Sequence, residues 1–359
     1  MSVEEESVKF AVPKGVFYNP AMRLCRSISS LAVGAIGEKI EVVDAFSASG
    51  IRGIRYAREN KNVKKLTSID VFPPAVPAAK KNIRTNKVKG SAVKGNVSRM
   101  AFEYDADFLE IDPFGTPAPY LVDSFRFFNT KKEAYLSVTA TDVAVLCGGK
   151  TAPCMKNYHS KPLNNEFTHE TGLRILIKKI AETAAEFNMG ILPLISFSDQ
   201  HYLKAVVHVK RGADGADASL KQLGHISSCK GCGFRGASQF PQLCPNCGAE
   251  TDFAGPLWLG ELHNASFIRK MAALNTKRTY SDRDKISTML SLMEGEIGLP
   301  PYFYNVHALC KLQQLDSVPK MDAVIAKLVQ RGFAARKTHF SPVAIKTNAP
   351  HLEMLEAVK

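Results

Sequence analysis

Ile40-Glu41-Val42-Val43-Asp44-Ala45-Phe46-Ser47-Ala48-Ser49-Gly50-Ile51-Arg52-Gly53 reads as an apolar strand that runs into a turn of small residues and then opens a helix. Such a turn lets a ligand approach the backbone closely at the carboxyl end of a strand. It departs from the Gly-x-Gly-x-x-Gly of dinucleotide sites, and taken alone a plain strand-to-helix turn explains it as well. Outward from it, residues 1–212 alternate strand-like apolar runs with amphipathic helical ones. This is the pattern of a doubly wound α/β domain, a parallel sheet with helices on both faces. Strands are expected over 40–46, 66–69, 92–93, 107–111, 134–139, 191–196 and 205–209, and helices over 50–59, 75–86 and 170–187. The last helix carries an apolar stripe at Leu173, Leu176, Ile177, Ile180 and Ala184. Segment 211–223, with Gly212, Gly215 and alternating Asp and Ala, has no periodicity and reads as a linker, so a second domain is expected over 213–359.

In an open parallel sheet the ligand lies beyond the carboxyl ends of the strands, and several of these ends carry polar residues. Asp70 follows the second strand about twenty residues after the small-residue turn, where an acid can hydrogen-bond ribose hydroxyls or simply cap a helix. Asn96 and Val97 follow the third, where an Asn can meet an adenine edge or serve as a turn residue. The fourth ends in Asp112-Pro113-Phe114-Gly115-Thr116-Pro117. A carboxylate and a backbone carbonyl beside a flat ring can grip a planar base and the protons of its exocyclic amine. Ribose, adenine and amine sites around one crevice, with no Ser or Cys nucleophile motif, point to transfer of a methyl group from an adenosyl cofactor. A sulfonium methyl is already activated, so the protein must hold an amine nitrogen in line with it and drain the proton as charge develops. The residues leave the amine open between guanine N2, adenine N6 and a ribosomal guanine. They also leave open a non-catalytic RNA-binding protein on the same fold.

The chain of 359 residues has a net charge of +13, and Lys80, Lys81, Arg84, Lys87, Lys89, Lys94 and Arg99 follow one another with no acid between them. Such a run attracts a polyanion, or serves as a solvated face. With 45% hydrophobic and 23% charged residues the composition is that of a globular protein, and no apolar run approaches the roughly 18 residues of a membrane span. Met1-Ser2-Val3-Glu4-Glu5-Glu6 carries acid where a signal peptide carries base, so cytoplasmic residence is expected.

Of the eight cysteines, Cys229, Cys232, Cys244 and Cys247 form two Cys-x-x-Cys pairs eleven residues apart. Four thiolates in this spacing hold a structural zinc with no open position, in a ribbon over about 225–252. Cys25, Cys147, Cys154 and Cys310 lack such spacing and read as buried small residues. Near the C-terminus a helix start at 317–319, an apolar stripe at Val324, Ile325, Leu328 and Val329 and a strand-like 333–340 outline a winged helix. Residues 320–346 hold six bases and one acid, which suits contact with phosphates.

The chain resembles the tRNA (guanine26-N2)-dimethyltransferases nearly end to end. The resemblance is carried by Val16-Phe17-Tyr18-Asn19-Pro20-Ala21-Met22, by Asp44 to Arg55 and by the Asp-Pro-Phe-Gly-Thr-Pro run. It continues through Thr139-Ala140-Thr141-Asp142, Leu146-Cys147-Gly148, His169-Glu170-Thr171-Gly172-Leu173-Arg174, Gly255-Pro256-Leu257-Trp258-Leu259-Gly260 and Ile345-Lys346-Thr347-Asn348-Ala349-Pro350. It implies a class I methyltransferase-like domain that uses S-adenosyl-L-methionine to dimethylate the N2 amine of a tRNA guanine. It further implies that Arg26, Arg52, Asp70 and the third-strand turn contact the cofactor, that Asp112 is catalytic, and that Phe114, Pro113 and Phe17 border the guanine. The expected partner is tRNA, with neither DNA nor membrane, and the chain is expected to act as a monomer. Two departures stand out. At the third turn the family carries Asp-Ala where this chain has Asn96-Val97, or Lys94-Gly95 under a shifted alignment. Arg26 is followed by Ser27 in place of Asp, which removes a local ion-pair partner.

Overall fold

The computed structural model describes residues 2–359. Its centre is a seven-stranded sheet of β1 (Ile40–Asp44), β2 (Val63–Asp70), β3 (Gly90–Lys94), β4 (Phe108–Ile111), β5 (Glu133–Ala140), β6 (Met189–Asp199) and β7 (Tyr202–Arg211). In space the order is β3-β2-β1-β4-β5-β7-β6. The first five strands are parallel, whereas β7 runs antiparallel to both β5 and β6. The wholly parallel sheet expected from sequence is therefore corrected at its last two strands. Only Gln200 and His201 separate β6 from β7, far short of the dozen or more residues that a parallel crossover needs.

Successive side chains face opposite sides of the sheet and fill two separate cores. Val42, Phe108 and Val206 enter one with Leu31, Ile54 and Leu66, while Val43, Leu109 and Val207 enter the other with Phe125, Leu173 and Ile177. Helices α1 (Arg23–Ile36), α2 (Ile51–Glu59) and α3 (Ala75–Thr85) cover the first side, and the short α4 (Val97–Met100) and long α5 (Thr168–Glu186) belong to the second. An N-terminal hairpin of Ser2–Glu5 and Val8–Ala11 lies against α2 and α3.

The segment read as a linker contains α6 (Ala213–Leu220), which packs on β6 and α5. A Cβ on Gly190 of β6 would sit 2.3 Å from the carbonyl oxygen of Gly215, so the helix seats this close only because that strand residue lacks a side chain. The ribbon follows as β8 (Leu223–Ser228), β9 (Arg235–Ser238) and β10 (Asp252–Trp258), antiparallel in the order β9-β8-β10. Helices α7 (Ala265–Asn275) and α8 (Arg283–Gly295) send Phe267, Ile268, Met271, Ile286 and Leu290 into the core that holds α1.

The C-terminal part has strands β11 (Tyr304–Asn305), β12 (Ala335–Thr338) and β13 (Ser341–Thr347) with helices α9 (Val306–Leu312), α10 (Met321–Gln330) and α11 (His351–Val358) around a third core. The single strand expected over 333–340 is a hairpin that turns between β12 and β13. Of its basic residues, Arg331 pairs with Glu353 at 2.9 Å and Lys337 with Asp322 at 2.8 Å. Lys346 is buried and donates to Glu170 of α5 at 2.5 Å, so it faces the interior and no phosphate.

Candidate active site

The carboxyl ends of β1, β2, β3 and β4 open on one side of the sheet, and the small-residue turn joins the first two. Ala48, with φ of 45°, donates its N–H to Asp70 Oδ2 at 2.7 Å, and Phe72 N–H reaches Asp70 Oδ1 at 2.8 Å. Asp70 thus ties two loops together through one lone pair on each oxygen, and each oxygen keeps a second acceptor position. Gly53 N–H donates to Asp44 at 3.1 Å. A Cβ on Gly53 would lie 2.6 Å from Leu66 Cδ1 and 3.2 Å from Asp44 Oδ2, so glycine lets α2 start this close to the sheet without displacing either side chain.

Asn96 caps α4, its Oδ1 accepting from Ser98 N–H at 2.8 Å. The side chain is exposed, and its Nδ2 remains to donate into a cavity of about 580 Å³ lined by Val71, Val93, Lys94, Asn96, Arg99 and Met100. Val97 points into the core, so only its backbone faces that turn.

Arg26 has a partner other than the one the sequence lacks. Its Nε donates to Glu5 at 2.7 Å, Nη2 meets both Glu5 and the Asn19 carbonyl, and the guanidinium lies over Tyr18 at 5.3 Å. Arg55 also reaches Glu5 at 3.0 Å. Burial would raise the Glu5 carboxyl, but the two guanidiniums outweigh it and hold it below the ordinary value. The N-terminal hairpin thereby supplies the anion that Ser27 does not.

Asp112 lies one residue beyond β4 with its side chain 21% exposed. Arg52, in the first turn of α2, donates through Nη2 directly to Asp112 Oδ2, and its Nη1 approaches Cys25 Sγ at 3.6 Å. Beneath this pair is Glu110, fully buried and 3.9 Å from Arg52 Nε. Glu110 accepts from Tyr56 Oη at 2.8 Å and from Lys204 Nζ, and Lys204 also donates to Thr139 at 2.9 Å. Positive and negative groups alternate from Lys204 through Glu110 and Arg52 to Asp112, which is how buried charges are made tolerable. Burial alone would raise the Asp112 carboxyl, yet the charges of Arg52 and Lys204 prevail and lower it, so Asp112 stays ionised at neutral pH. Asp44 is pushed up to about 7 by burial and by Glu110.

Phe114 follows Asp112 by two residues and meets Phe17 from the N-terminal segment; the two rings are 76% and 49% exposed, with centroids 4.6 Å apart at 85°. Two large aromatics left open side by side form an exposed apolar patch. The loop that carries Phe114 is fixed: Gly115, with φ of 76°, exchanges hydrogen bonds with Thr141, N–H to Oγ1 at 2.8 Å and carbonyl from N–H at 3.0 Å. Thr116 meets Tyr158 at 2.7 Å, and Tyr158 meets Asp142 at 3.0 Å. Pro113 is buried beneath it.

The structure thus brings Asp112, Phe114, Phe17 and Arg52 together, sets Asp70 and Asn96 on neighbouring strand ends, and engages Arg26 with Glu5. Sequence reasoning missed Glu110, Lys204, Tyr56 and Glu5. A charged residue inside Phe108-Leu109-Glu110-Ile111, and another in Tyr202-Leu203-Lys204-Ala205, was the available signal, because a charge in a central strand needs a partner.

In the ribbon, Cys229 and Cys247 Sγ are 3.6 Å apart and Cys232 and Cys244 Sγ 3.5 Å apart. All four sulfurs lie within 4.8 Å of one another, a set able to hold a metal ion. The buried His263, Glu296 and His339 also converge, but Lys346 Nζ stands 3.7 Å from Glu296 and already neutralises that carboxylate.

The family model for N2,N2-dimethylguanosine tRNA methyltransferases matches residues 1–359. The tRNA (guanine(26)-N(2))-dimethyltransferase of Methanobrevibacter smithii is 37% identical, covering 100% of this chain and 97% of that one. The enzyme of the same description from Thermococcus kodakarensis is 36% identical, with 100% and 99% covered. The structure of Trm1 from Pyrococcus horikoshii in complex with S-adenosyl-L-methionine is similar with a TM-score of 0.91 and 32% identity over 100% of both chains.

Proposed function

The chain belongs to the N2,N2-dimethylguanosine tRNA methyltransferase family, and from that premise we propose which of its residues transfer two methyl groups from S-adenosyl-L-methionine to the N2 amine of guanine 26 in tRNA. The observation that carries the assignment is an ionised Asp112, held by Arg52, beside the open Phe17–Phe114 pair.

The residues present suit the cofactor: Asp70 keeps acceptor positions for two ribose hydroxyls, and Asn96, next to Val97, lines a cavity of adenine-bearing size. When bound, S-adenosyl-L-methionine supplies an electrophilic methyl on a sulfonium. Arg52 and Arg26 complete the cofactor wall as charged groups fixed by Asp112 and Glu5. Phe114 and Phe17 border the guanine, and Pro113 sets the loop that carries Phe114. Asp112 accepts a hydrogen bond from the N2 amine, which turns the nitrogen lone pair out of the ring plane. Its low basicity is no handicap, because the amine proton becomes strongly acidic only as the new C–N bond forms, and a carboxylate then suffices to take it. After the first transfer the nitrogen still carries one N–H for Asp112, so the same geometry serves the second. Guanine in a folded tRNA must first leave its stack, at a cost of a few kcal/mol that aromatic contact offsets.

We assign the four cysteines to one structural zinc: tetrahedral Zn–S bonds of about 2.3 Å place sulfurs about 3.8 Å apart, close to the spacing observed. Residues 1–212 are proposed as the methyltransferase unit and 213–359 as the unit that adds RNA contacts, in a cytoplasmic monomer. No helix among the described residues is long and apolar enough to cross a membrane. The assignment is tested with methyl-labelled cofactor and tRNA transcripts carrying guanine or adenine at position 26. Label on the guanine transcript alone is expected, and equal labelling of both overturns it.

A further inference from the structure

The seven-residue basic run falls on one continuous surface. Lys80, Lys81 and Arg84 occupy the outer face of α3, Lys87 and Lys89 the turn that follows, Lys94 the end of edge strand β3, and Arg99 the end of α4, all exposed. Only Arg99 has an acid partner, Glu103 at 3.0 Å; among the described residues the other six form no ion pair. In the basic C-terminal stretch half of the six cations, Arg331, Lys337 and Lys346, are engaged by carboxylates, against one of seven in this run. Guarding an edge strand accounts for Lys89 and Lys94 but not for three cations on a helix.

The inner face of α3 connects this surface to the candidate active site. Asn82 is 1% exposed and exchanges two hydrogen bonds with the Ala11 backbone, at 2.8 and 2.9 Å, while donating to the Ser49 carbonyl of the small-residue turn at 2.8 Å. Asn86 grips the Lys9 backbone in the same way, at 3.1 and 2.7 Å. The strand so held leads directly to Phe17. At the far end of the run, Lys94 and Arg99 line the cavity beside Asn96.

We propose that the outer face of α3, continued along β3 to Arg99, is the track on which the phosphate backbone of the tRNA lies while its target guanine reaches Phe17 and Phe114. This rests on the tRNA substrate assigned above and adds where that substrate is held. One helix then fixes both the RNA backbone outside and the aromatic segment inside, so docking and base placement share a rigid element. The bound partner is an RNA polyanion, recognised through counterion release.

The test compares two triple variants of the full chain. K80A/K81A/R84A strips the α3 face, and K132A/K210A/K221A removes the same charge around the start of β5, the end of β7 and the start of β8. Direct binding to unmodified tRNA is measured from 50 to 200 mM salt. The slope of log affinity against log salt is expected to shrink by about 2 to 3 in the α3 variant, from roughly 0.7–0.9 per lost phosphate contact. That corresponds to tRNA binding at least ~10-fold weaker at low salt, with the KM for S-adenosyl-L-methionine and the melting temperature unchanged. An unchanged slope and affinity overturns the proposal. Equal losses in the two triples also overturn it, because net charge and not this face would then govern binding. Binding is read without turnover, so wild-type protein that binds tRNA but does not methylate it defeats the function assigned above and leaves the track standing.

Discussion

Replacing Arg52 by Gln removes the charge that keeps Asp112 ionised and leaves a side chain able to fill the same buried space. Two opposite charges about 4 Å apart attract by ~4 kcal/mol at an effective dielectric of ~20. That is about 3 pH units, and an arginine beside an aspartate is generally worth 1–3. With the Asp112 side chain 21% exposed and Lys204 still in place, the smaller part of that range applies. The sign follows from the role: Asp112 works as a carboxylate, so activity is lost as pH falls through its pKa. In the wild type that pKa lies below the ordinary 3.8, and Asp112 imposes no loss above about pH 5. In R52Q burial is less opposed, the Asp112 carboxyl rises, and kcat/KM for tRNA is expected to gain an acid limb that the wild type lacks in the same range. R52K, which keeps the charge, returns the profile toward the wild type. The assay is single-turnover methylation of unmodified tRNA from pH 4.5 to 8.5 with cofactor saturating. A uniform fall in R52Q at every pH, with no new limb, would refute the coupling and leave Arg52 acting through the cofactor alone.

Phe114→Ala removes an exposed ring that supports little of the fold, and loss of base contact worth 1–3 kcal/mol lowers kcat/KM for tRNA roughly 5- to 150-fold at unchanged melting temperature; steady-state kinetics beside calorimetry checks both. Elemental analysis of purified protein is expected to give one zinc per chain, and Cys244→Ser to lose it together with several degrees of thermal stability; a metal-free wild type contradicts the site. Asp44, raised to about 7 by burial, stays protonated in the folded chain after the unfolded chain has lost its proton, so its contribution to stability is complete below about pH 4 and is lost as pH rises to about 7. Asp44→Asn keeps the acceptor for Gly53 N–H and flattens that part of the stability profile by a few kcal/mol, read from chemical denaturation at pH 5 and pH 8.

What was legible in the sequence was local. Asp112, Asp70 and the small-residue turn each sit within a few residues of a strand end, where chain direction alone decides what they face. The partners of Asp112 are a different matter. Lys204 meets Glu110 across a separation of 94 residues, and Glu5 meets Arg26 because a hairpin folds back over α2. Such pairs depend on strand order, which periodicity does not encode. The segment of α6 is opaque for a related reason: Gly212 and Gly215 look like breakers in one dimension, and only the close approach of the Gly215 backbone to Gly190 of β6 shows a packed helix. Asn96 reads in the sequence as an adenine contact or a turn residue, and its Oδ1 caps α4, a role that depends on the short helix beginning at Val97.

The central claim is that Asp112 handles the guanine amine. Mass spectrometry of nucleosides from unmodified tRNA, after incubation with S-adenosyl-L-methionine and either wild-type or Asp112→Asn protein, tests it most directly. Asn keeps the shape but can neither hold the charge nor take the proton, so a rate loss of about 10²–10⁴ is expected. The wild type is predicted to yield N2,N2-dimethylguanosine, and the variant almost none, while its binding of tRNA is unimpaired. Dimethylguanosine formed by the variant at the wild-type rate would contradict the account.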